Sequence, residues 1–535
     1  MIGARSAGYG LAFNRVVDTA EMRALEAQAP AGVNLMQNAG HAIAAAILRR
    51  MGSPGARTVV VLVGPGDNGG DALIAAARLA ATGAHVTAWV SRQRPNDPLI
   101  TAAAARGVRC RIWNADARPL IDDVRRASCL VDGLLGIGSS PPLRGPIADM
   151  LAAVPDVARQ TRIAIDIPSG IDADTGSADP STFHAHLTLA TGPIKLGALL
   201  HPAIEFTGRQ IALDIGLPPH TYAPLRTSRI NVHTVRRLLP TRPLDGYKGT
   251  FGRLAIVAGS SRYRGAAALA TVAALRAGAG LVTLASVEPA CAVAAAQAPA
   301  ATFVALAASP SGQVQAIADD VAATFARPSA LLLGPGLGRG DTADTLVYGL
   351  LDTLPDTPTV IDADGLNAMA DRADLLESLG SRCILTPHPG ELARLLRLPS
   401  APEGRQRLAA AQDVAAQTRA TVVAKGSPTF VCSADRVWIL ARPNPALAAA
   451  GSGDVLAGAI ASLLAQGLKP TEAARVGVWL HSRAARIAGG RDDRGVPMEQ
   501  VADALRPAVN LRRAGPLRKR WPRRRRRTWR QSGTP

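Results

Sequence analysis

Short apolar runs rich in β-branched residues alternate along the chain with alanine-rich stretches of helical length, as in a parallel sheet covered by helices. In the first half, residues 58–63 (TVVVLV), 86–90 (VTAWV), 129–132 (CLVD), 162–167 (RIAIDI) and 187–190 (LTLA) read as buried strands. Between residues 34 and 50, Leu35, Ala39, Ile43 and Ile47 recur every four positions and mark one apolar helix face. The alternation breaks at residues 217–229 (LPPHTYAPLRTSR), where three prolines and no periodicity predict a linker. A second series then follows, with strands at 253–258 (RLAIVA), 281–285 (LVTLA), 330–334 (ALLLG), 359–363 (TVIDA), 383–386 (CILT) and 421–425 (TVVAK). No repeat relates the two halves, so the pattern predicts two different α/β domains rather than a duplication.

A length of 535 residues exceeds the usual reach of one hydrophobic core and agrees with two domains; 47% hydrophobic residues exclude disorder for the bulk of the chain. Aromatics make up only 3%, so the cores must be built from small aliphatic side chains. Cys110, Cys129, Cys291, Cys383 and Cys432 are odd in number and far apart, which suits neither a CxxC pair nor a disulfide framework and predicts a reducing, cytoplasmic setting. The N-terminus shows no basic stretch followed by an apolar segment, and no 18-residue run lacks charges and turn signals, so neither secretion nor membrane spanning is expected.

The formal net charge of +19 first suggests a nucleic-acid partner, but its location changes that picture. Residues 512–535 hold 11 basic and no acidic side chains, leaving 49 basic against 41 acidic residues, a net +8, on residues 1–511. Trp521 and Trp529 interleave with the tail's arginines, yet a solvated run is the ordinary fate of such a segment, and a nucleic-acid partner is not expected. Only five of the 60 basic residues are lysine, and three of them, Lys195, Lys248 and Lys425, fall inside motifs.

Residues 64–72 (GPGDNGGDA) join a strand to a helix, and a glycine turn there lets the backbone approach an anion while the first helical turn offers free amides. Such a turn alone is as often structural as functional. Asp132, Asp166, Ser169 and Lys195 stand at further strand ends, and in a doubly wound sheet the carboxyl ends of strands line one crevice. In the second half, residues 448–467 (AAAGSGDVLAGAIASLLAQG) place Asp454 at the start of a long helix, where it can take a proton from an attacking hydroxyl while the helix N-terminus holds a phosphoryl group. A carboxylate in a first turn is also a routine helix stabiliser. The company of KGSPT (425–429), LGPGLG (333–338), DADGLN (362–367) and TPHPGE (386–391), each at a strand end, favours the chemical reading. Zinc is not expected, because His233, His388 and His481 are widely separated and no HExxH or paired cysteines accompany them.

The segments NLMQNAG, GPGDNGGDALIAAARLAATG, VDGLLGIG and DIPSGIDADTG resemble the epimerase domain of the bifunctional NAD(P)H-hydrate repair enzymes, which interconvert the R and S forms of hydrated NADH and NADPH (NADHX and NADPHX). YKGTFGRLAIVAGSSRYRGAAALA, GPGLG, DADGLN, TPHPGE, KGSPT and GSGD resemble the dehydratase domain of the same family, a ribokinase-like fold. The resemblance, which spans roughly residues 14–511, implies a Rossmann-like three-layer domain over residues 1–226 and a ribokinase-like α/β domain over 227–511; the composition of 512–535, beyond it, predicts an Arg-rich disordered tail. It implies hydrate binding in the first domain by Asp67, Asn68, Gly69, Gly70 and Asp71, by the loop Gly136, Ile137, Gly138, Ser139, Ser140, Pro141 and Pro142, and by Asp166, with a potassium ion on Asn68, Asp132 and Ser169. In the second domain it implies that Ala266, Gly336, Gly338, His388 and Asp454 hold the S hydrate while Lys425, Gly426, Ser427, Pro428, Thr429 and Gly453 hold ADP, with Mg2+ assisting. Asp454 and Asp166 are the expected catalytic groups, and NADHX, NADPHX and ADP the expected partners of a homo-oligomeric enzyme.

The chain departs from the family pattern at Asp67, where asparagine is usual, at Ala72, where glycine is usual, at Tyr247, and at Ala449 and Ala450. Asp67 is expected to weaken the hold on a phosphorylated ligand unless the cation offsets it, and the two alanines to narrow the nucleotide pocket. Two rival readings fit parts of the pattern. One is a ribokinase-like small-molecule kinase with an N-terminal binding domain, and the other a nucleic-acid-associated scaffold using the tail.

Overall fold

The computed structural model describes residues 14–51, 57–325, 327–370, 372–441 and 444–511. The predicted tail, residues 512–535, lies outside them. The apolar runs become strands because each is buried on both faces, where β-branched side chains pack well. In chain order the strands of the first half are β1 (Val16–Val17), β2 (Thr58–Val63), β3 (His85–Val90), β4 (Arg109–Ile112), β5 (Cys129–Gly133), β6 (Thr161–Ile165), β7 (Leu187–Thr191), β8 (Ile194–Lys195) and β9 (Arg209–Leu213). Seven of them form one parallel sheet in the order β4-β3-β2-β5-β6-β7-β9, and β1 pairs with β8 beside it. The strand order reverses between β2 and β5, so a crevice opens at their carboxyl ends.

The second half contributes β10 (Thr227–Arg229), β11 (Arg253–Val257), β12 (Leu281–Val287), β13 (Thr302–Leu306), β14 (Ala330–Leu333), β15 (Thr359–Ile361), β16 (Cys383–Leu385), β17 (Thr421–Ala424), β18 (Thr429–Cys432) and β19 (Val437–Leu440). They pair in the order β10-β19-β18-β17-β16-β15-β14-β11-β12-β13. All contacts are parallel except those of β18 with β17 and β19. Here the order reverses between β11 and β14.

The expected free linker at 217–229 is not one. Leu217, Tyr222 and Leu225 are buried in the first core, and Thr227–Arg229 pairs with β19 of the second sheet. Pro218 and Pro219 start a short 3-10 helix, Pro219–Tyr222, and the apolar residues around them still pack. The strands missing from the sequence reading are mostly edges or short hairpin arms. At β4, for instance, RCRI carries no apolar run, and none of its residues is fully buried at the edge of the sheet.

The scarcity of aromatics is met by close helix contact. Helix Ser452–Ala465 is buried from Val455 to Ala465, and a Cβ at Gly458 would lie 2.3 Å from Ala270 O of helix Arg264–Ala277. Glycine is required there for the two backbones to approach. Among the described residues, no helix is long and apolar enough to cross a membrane.

Candidate active sites

At the first crevice a cavity of about 380 Å³ is lined by the loop after β2, by Leu134–Ser139 after β5, and by Asp71, Asp166 and Thr191. The two loops touch through backbone. Gly64 N–H donates to Gly133 O at 3.1 Å, and a Cβ on Gly64 would lie 1.7 Å from Leu134 O. Gly66, the N-cap of helix Asp67–Ala80, has open space around it and faces the cavity, as expected of an anion-binding turn. Gly69 and Gly70 have a different reason to be glycine. Side chains there would strike Gly64 O at 2.1 Å and Met36 Sδ at 2.7 Å, so these positions serve the packing behind the loop. Ala72, too, turns away from the cavity, its methyl against Gly133. Within the implied loop Gly136–Pro142, Gly136, Ile137, Gly138 and Ser139 line the cavity; Ser140 Oγ instead donates to Asp172 Oδ2 at 2.6 Å, and the Pro141–Pro142 bond is cis.

Asp166 adopts φ +65°, a conformation rare for a side-chain-bearing residue, just past the end of β6. Its Oδ1 accepts hydrogen bonds from Thr191 N–H (3.1 Å), Thr191 Oγ1 (2.8 Å) and the buried Lys195 ammonium. Burial, aided by the charges of Asp166 and Asp67, pushes the Asp71 carboxyl up to about 8. Burial likewise raises Glu26, which lines the same cavity with Arg23. Neither residue was singled out from the sequence, because helix Thr19–Glu26 reaches the crevice only through the fold.

Behind the cavity, Asn68 Nδ2 donates to Leu135 O (2.8 Å) and Ile165 O (3.3 Å), while its buried Oδ1 has no partner. Leu135 N–H donates to Ser169 Oγ at 2.9 Å, and Ser169 Oγ donates to Asp132 Oδ1 at 2.7 Å. Asp132 is fully buried, and burial lifts its carboxyl to about 6 against the hydrogen bonds from Ser169 and Leu134. The orphaned Asn68 amide oxygen, together with the Asp132 carboxylate and the Ser169 hydroxyl bonded to it, offers hard oxygen donors of the kind an alkali cation takes.

In the second half, a larger cavity of about 720 Å³ lies at the ends of β16 and β17 and the start of helix Ser452–Ala465. Lys425 through Thr429, Gly453, Asp454 and His388 all line it, so these sequence-predicted residues converge. Ala266, Gly336 and Gly338 are not among its lining residues. They lie instead at the β11/β14 reversal, where a Cβ on Gly336 would come within 2.9 Å of Ala266 Cβ and Gly338 N–H donates to Asp364 Oδ2 at 2.9 Å.

Lys425 Nζ donates to Asp362 Oδ1 at 2.8 Å and stands 3.6 Å from Glu391 Oε2. Burial works against this ammonium, but the two carboxylates outweigh it and hold its pKa above the usual lysine value. A Cβ on Gly453 would lie 3.5 Å from Lys425 Nζ, which puts the ammonium directly beside the helix N-terminus. Gly451, at φ +86°, makes the turn into that helix. Burial, reinforced by Asp362 and Asp364 and opposed by Lys425, pushes Asp454 up to about 7. His388 Nδ1 accepts from Gly390 N–H (3.0 Å) and Glu391 N–H (3.3 Å), which leaves its Nε2 to face Glu391 Oε1 at 3.2 Å. Burial and the nearby Lys425 and Arg394 lower its pKa. Asp362, Glu391 and His481 join this site without having been assigned to it; DADGLN and TPHPGE already pointed to the first two. His388 and His481, far apart in sequence, share the cavity, yet burial holds His481 down to about 4, and no cluster of three His, Cys, Asp or Glu metal ligands occurs among the described residues.

Residues 254–507 match the family model described as NAD(P)H-hydrate dehydratase, and residues 32–197 the model described as YjeF-related protein N-terminus. The bifunctional NAD(P)H-hydrate repair enzyme Nnr of Moorella thermoacetica is 34% identical over 492 residues, covering 88% of this chain and 91% of that protein. The chain belongs to the bifunctional NAD(P)H-hydrate repair enzyme family. Nnr of Mycobacterium tuberculosis is 37% identical over 450 residues, covering 82% of this chain and 86% of its own length. A solved structure of the ADP/ATP-dependent NAD(P)H-hydrate dehydratase from Bacillus subtilis, co-crystallised with ATP/Mg2+, is 28% identical, with a TM-score of 0.43 over 52% of this chain and 96% of that one. As expected for the repair enzymes, the first sheet belongs to a Rossmann-like domain and the second to a ribokinase-like one.

Proposed function

We propose that each of the two cavities performs one step of nicotinamide-nucleotide repair, with a division of the chain at residue 226/227, where β10 leaves the first core and joins the second sheet. The enzyme epimerises R- and S-NAD(P)HX and dehydrates the S form at the expense of ADP. The observation that carries the dehydratase assignment is the pairing of Asp454 at a helix N-terminus with Lys425 across Gly453. The hydrate's carbinol oxygen attacks the β-phosphorus of ADP and the bond to the AMP oxygen breaks. Asp454 takes the hydroxyl proton, and the helix amides and Lys425 hold the charge of the transferring group. Loss of phosphate with a ring proton then restores the dihydronicotinamide, releasing AMP and phosphate. Bound Mg2+ would supply charge neutralisation on the phosphates, and the carboxylates that line the cavity beside Asp454 are Asp362 and Glu391.

In the first cavity Asp71, raised to about 8 by burial, is protonated at neutral pH and shares the lining with Asp166, whose Oδ1 accepts three hydrogen bonds. We assign Asp166 as the base and Asp71 as the proton donor of epimerisation. Asn68, Asp132 and Ser169 would hold K+, which would supply positive charge to offset Asp67.

The test is to mix the full-length protein with R and S hydrates, Mg2+ and ADP or ATP, in K+ or in Na+ buffer, and follow the return of reduced-nicotinamide absorbance. Complete recovery in K+ with free phosphate released is expected, along with slower conversion of the R fraction in Na+. A phosphorylated product without phosphate release would show a kinase instead.

A further inference from the structure

The dehydratase cavity contains one lining residue from the first domain, His201. His201 Nδ1 faces Glu205 Oε1 at 3.3 Å, and its Nε2 lies 3.0 Å from Ser427 Oγ in the KGSPT turn. A carboxylate only accepts, so Glu205 draws the ring proton to Nδ1 and leaves Nε2 as the acceptor of the Ser427 hydroxyl.

The location is firm on both sides. From Ile194 to Leu200 every residue is buried, and a Cβ on Gly197 would lie 2.2 Å from Asp172 O, so the segment delivering His201 has no room to drift. The same segment begins at Lys195, the partner of Asp166 in the other cavity. On the second domain, Arg407 packs beneath the turn. Its guanidinium donates to Pro428 O and lies where a Cβ on Gly426 would be, and Thr429 Oγ1 donates to Gly426 O at 2.8 Å. The turn is thus held from below by its own domain and at Ser427 by the other. A second cross-domain clasp is Arg405 Nη1 to Asp174 O at 3.3 Å.

We propose that His201 is a positioning residue of the nucleotide site: the epimerase domain supplies the hydrogen-bond acceptor that orients Ser427 and with it the turn that wraps the nucleotide phosphates. This inference rests on the reading of KGSPT as the nucleotide site. It predicts that the dehydratase half binds ADP at full strength only when the epimerase half is docked against it.

The experiment is calorimetric titration of Mg2+-ADP into the full-length protein and its variants, with steady-state kinetics alongside. His201→Ala is expected to weaken ADP binding and raise its KM roughly 3- to 10-fold, the loss of one oriented hydrogen bond, with the KM for the hydrate unchanged. His201→Gln, which keeps an acceptor, should recover most of the loss. Ser427→Ala should match His201→Ala, and the double variant should be no worse than either, since both remove the same bond. The side chain of His201 is 39% exposed, so its removal opens no core cavity, and retained epimerisation reports intact folding. Parent-like ADP affinity in His201→Ala, or additive losses in the double variant, overturns the inference. Lys425→Ala separates the two levels. If it weakens ADP binding while His201→Ala does not, only the His201 role falls; if neither affects binding, the nucleotide assignment falls as well.

Discussion

Asp454 is held in the form it must leave to work. Its carboxyl is raised to about 7 by burial and by neighbouring acids, so at pH 6 most of the free enzyme carries a protonated, inactive base. Dehydratase kcat/KM is therefore expected to rise about tenfold per pH unit below about 7 and level off above it. Asp454→Asn should lower kcat by roughly 100- to 10,000-fold while ADP still binds, and near-normal turnover would remove it from the mechanism. The same substitution should stabilise the fold. Folding raises this pKa, so the native state binds the proton more tightly than the unfolded chain and loses stability as pH rises from about 4 to about 7. The Asn variant's advantage in Tm should grow across that window and then stay constant. Asp71 gives the opposite limb in the other activity. As a proton donor raised to about 8, it should let epimerisation decline above that pH, a limb that Asp71→Asn abolishes. Chromatographic separation of the two epimers reads both this and Asp166→Ala, for which interconversion at the spontaneous rate is expected.

Among the elements, the helix that begins at Ser452 depends on small residues. At Gly458 the backbone of helix Arg264–Ala277 passes so close that an added methyl would lie 2.3 Å from a carbonyl oxygen. Gly458→Ala should cost about 1–3 kcal/mol by overpacking, measured by denaturant unfolding. Because this helix carries Asp454 at its start, the displaced helix should also lose dehydratase rate. The corresponding close approach in the first domain is the contact of Gly64 with Leu134, where the loops after β2 and β5 meet at the strand reversal.

The whole molecule joins two sheets through β10, which leaves one core and extends the other, and through the His201 and Arg405 contacts. A stereospecific dehydratase repairs the full hydrate pool only when an epimerase feeds it, which gives the fusion a chemical purpose. The basic tail lies outside the described residues. Deleting residues 512–535, which lowers the net charge from +19 to +8, should leave both rates unchanged and abolish any salt-sensitive adhesion to nucleic acid, checked by electrophoretic retardation at two ionic strengths.

Local pattern alone determined much of this protein. Strand cores such as TVVVLV, the helix turn at GSGD and the glycine loop at 64–72 are legible because their chemistry is contiguous, and six ordered motifs were enough to indicate the family. Tertiary structure decided what contiguous residues cannot. It set Gly69 and Gly70 against neighbours that leave no room for a side chain, turned the proline-rich 217–229 segment into core and strand, and brought Asp362, Glu391 and His481 to Asp454. It also raised Asp71 and Asp454 by burial and carried His201 into the other domain's cavity. The physical reason is one of range. Propensity and periodicity act over a few residues, whereas desolvation, close backbone approach and cross-domain hydrogen bonds depend on neighbours that only the folded chain assembles.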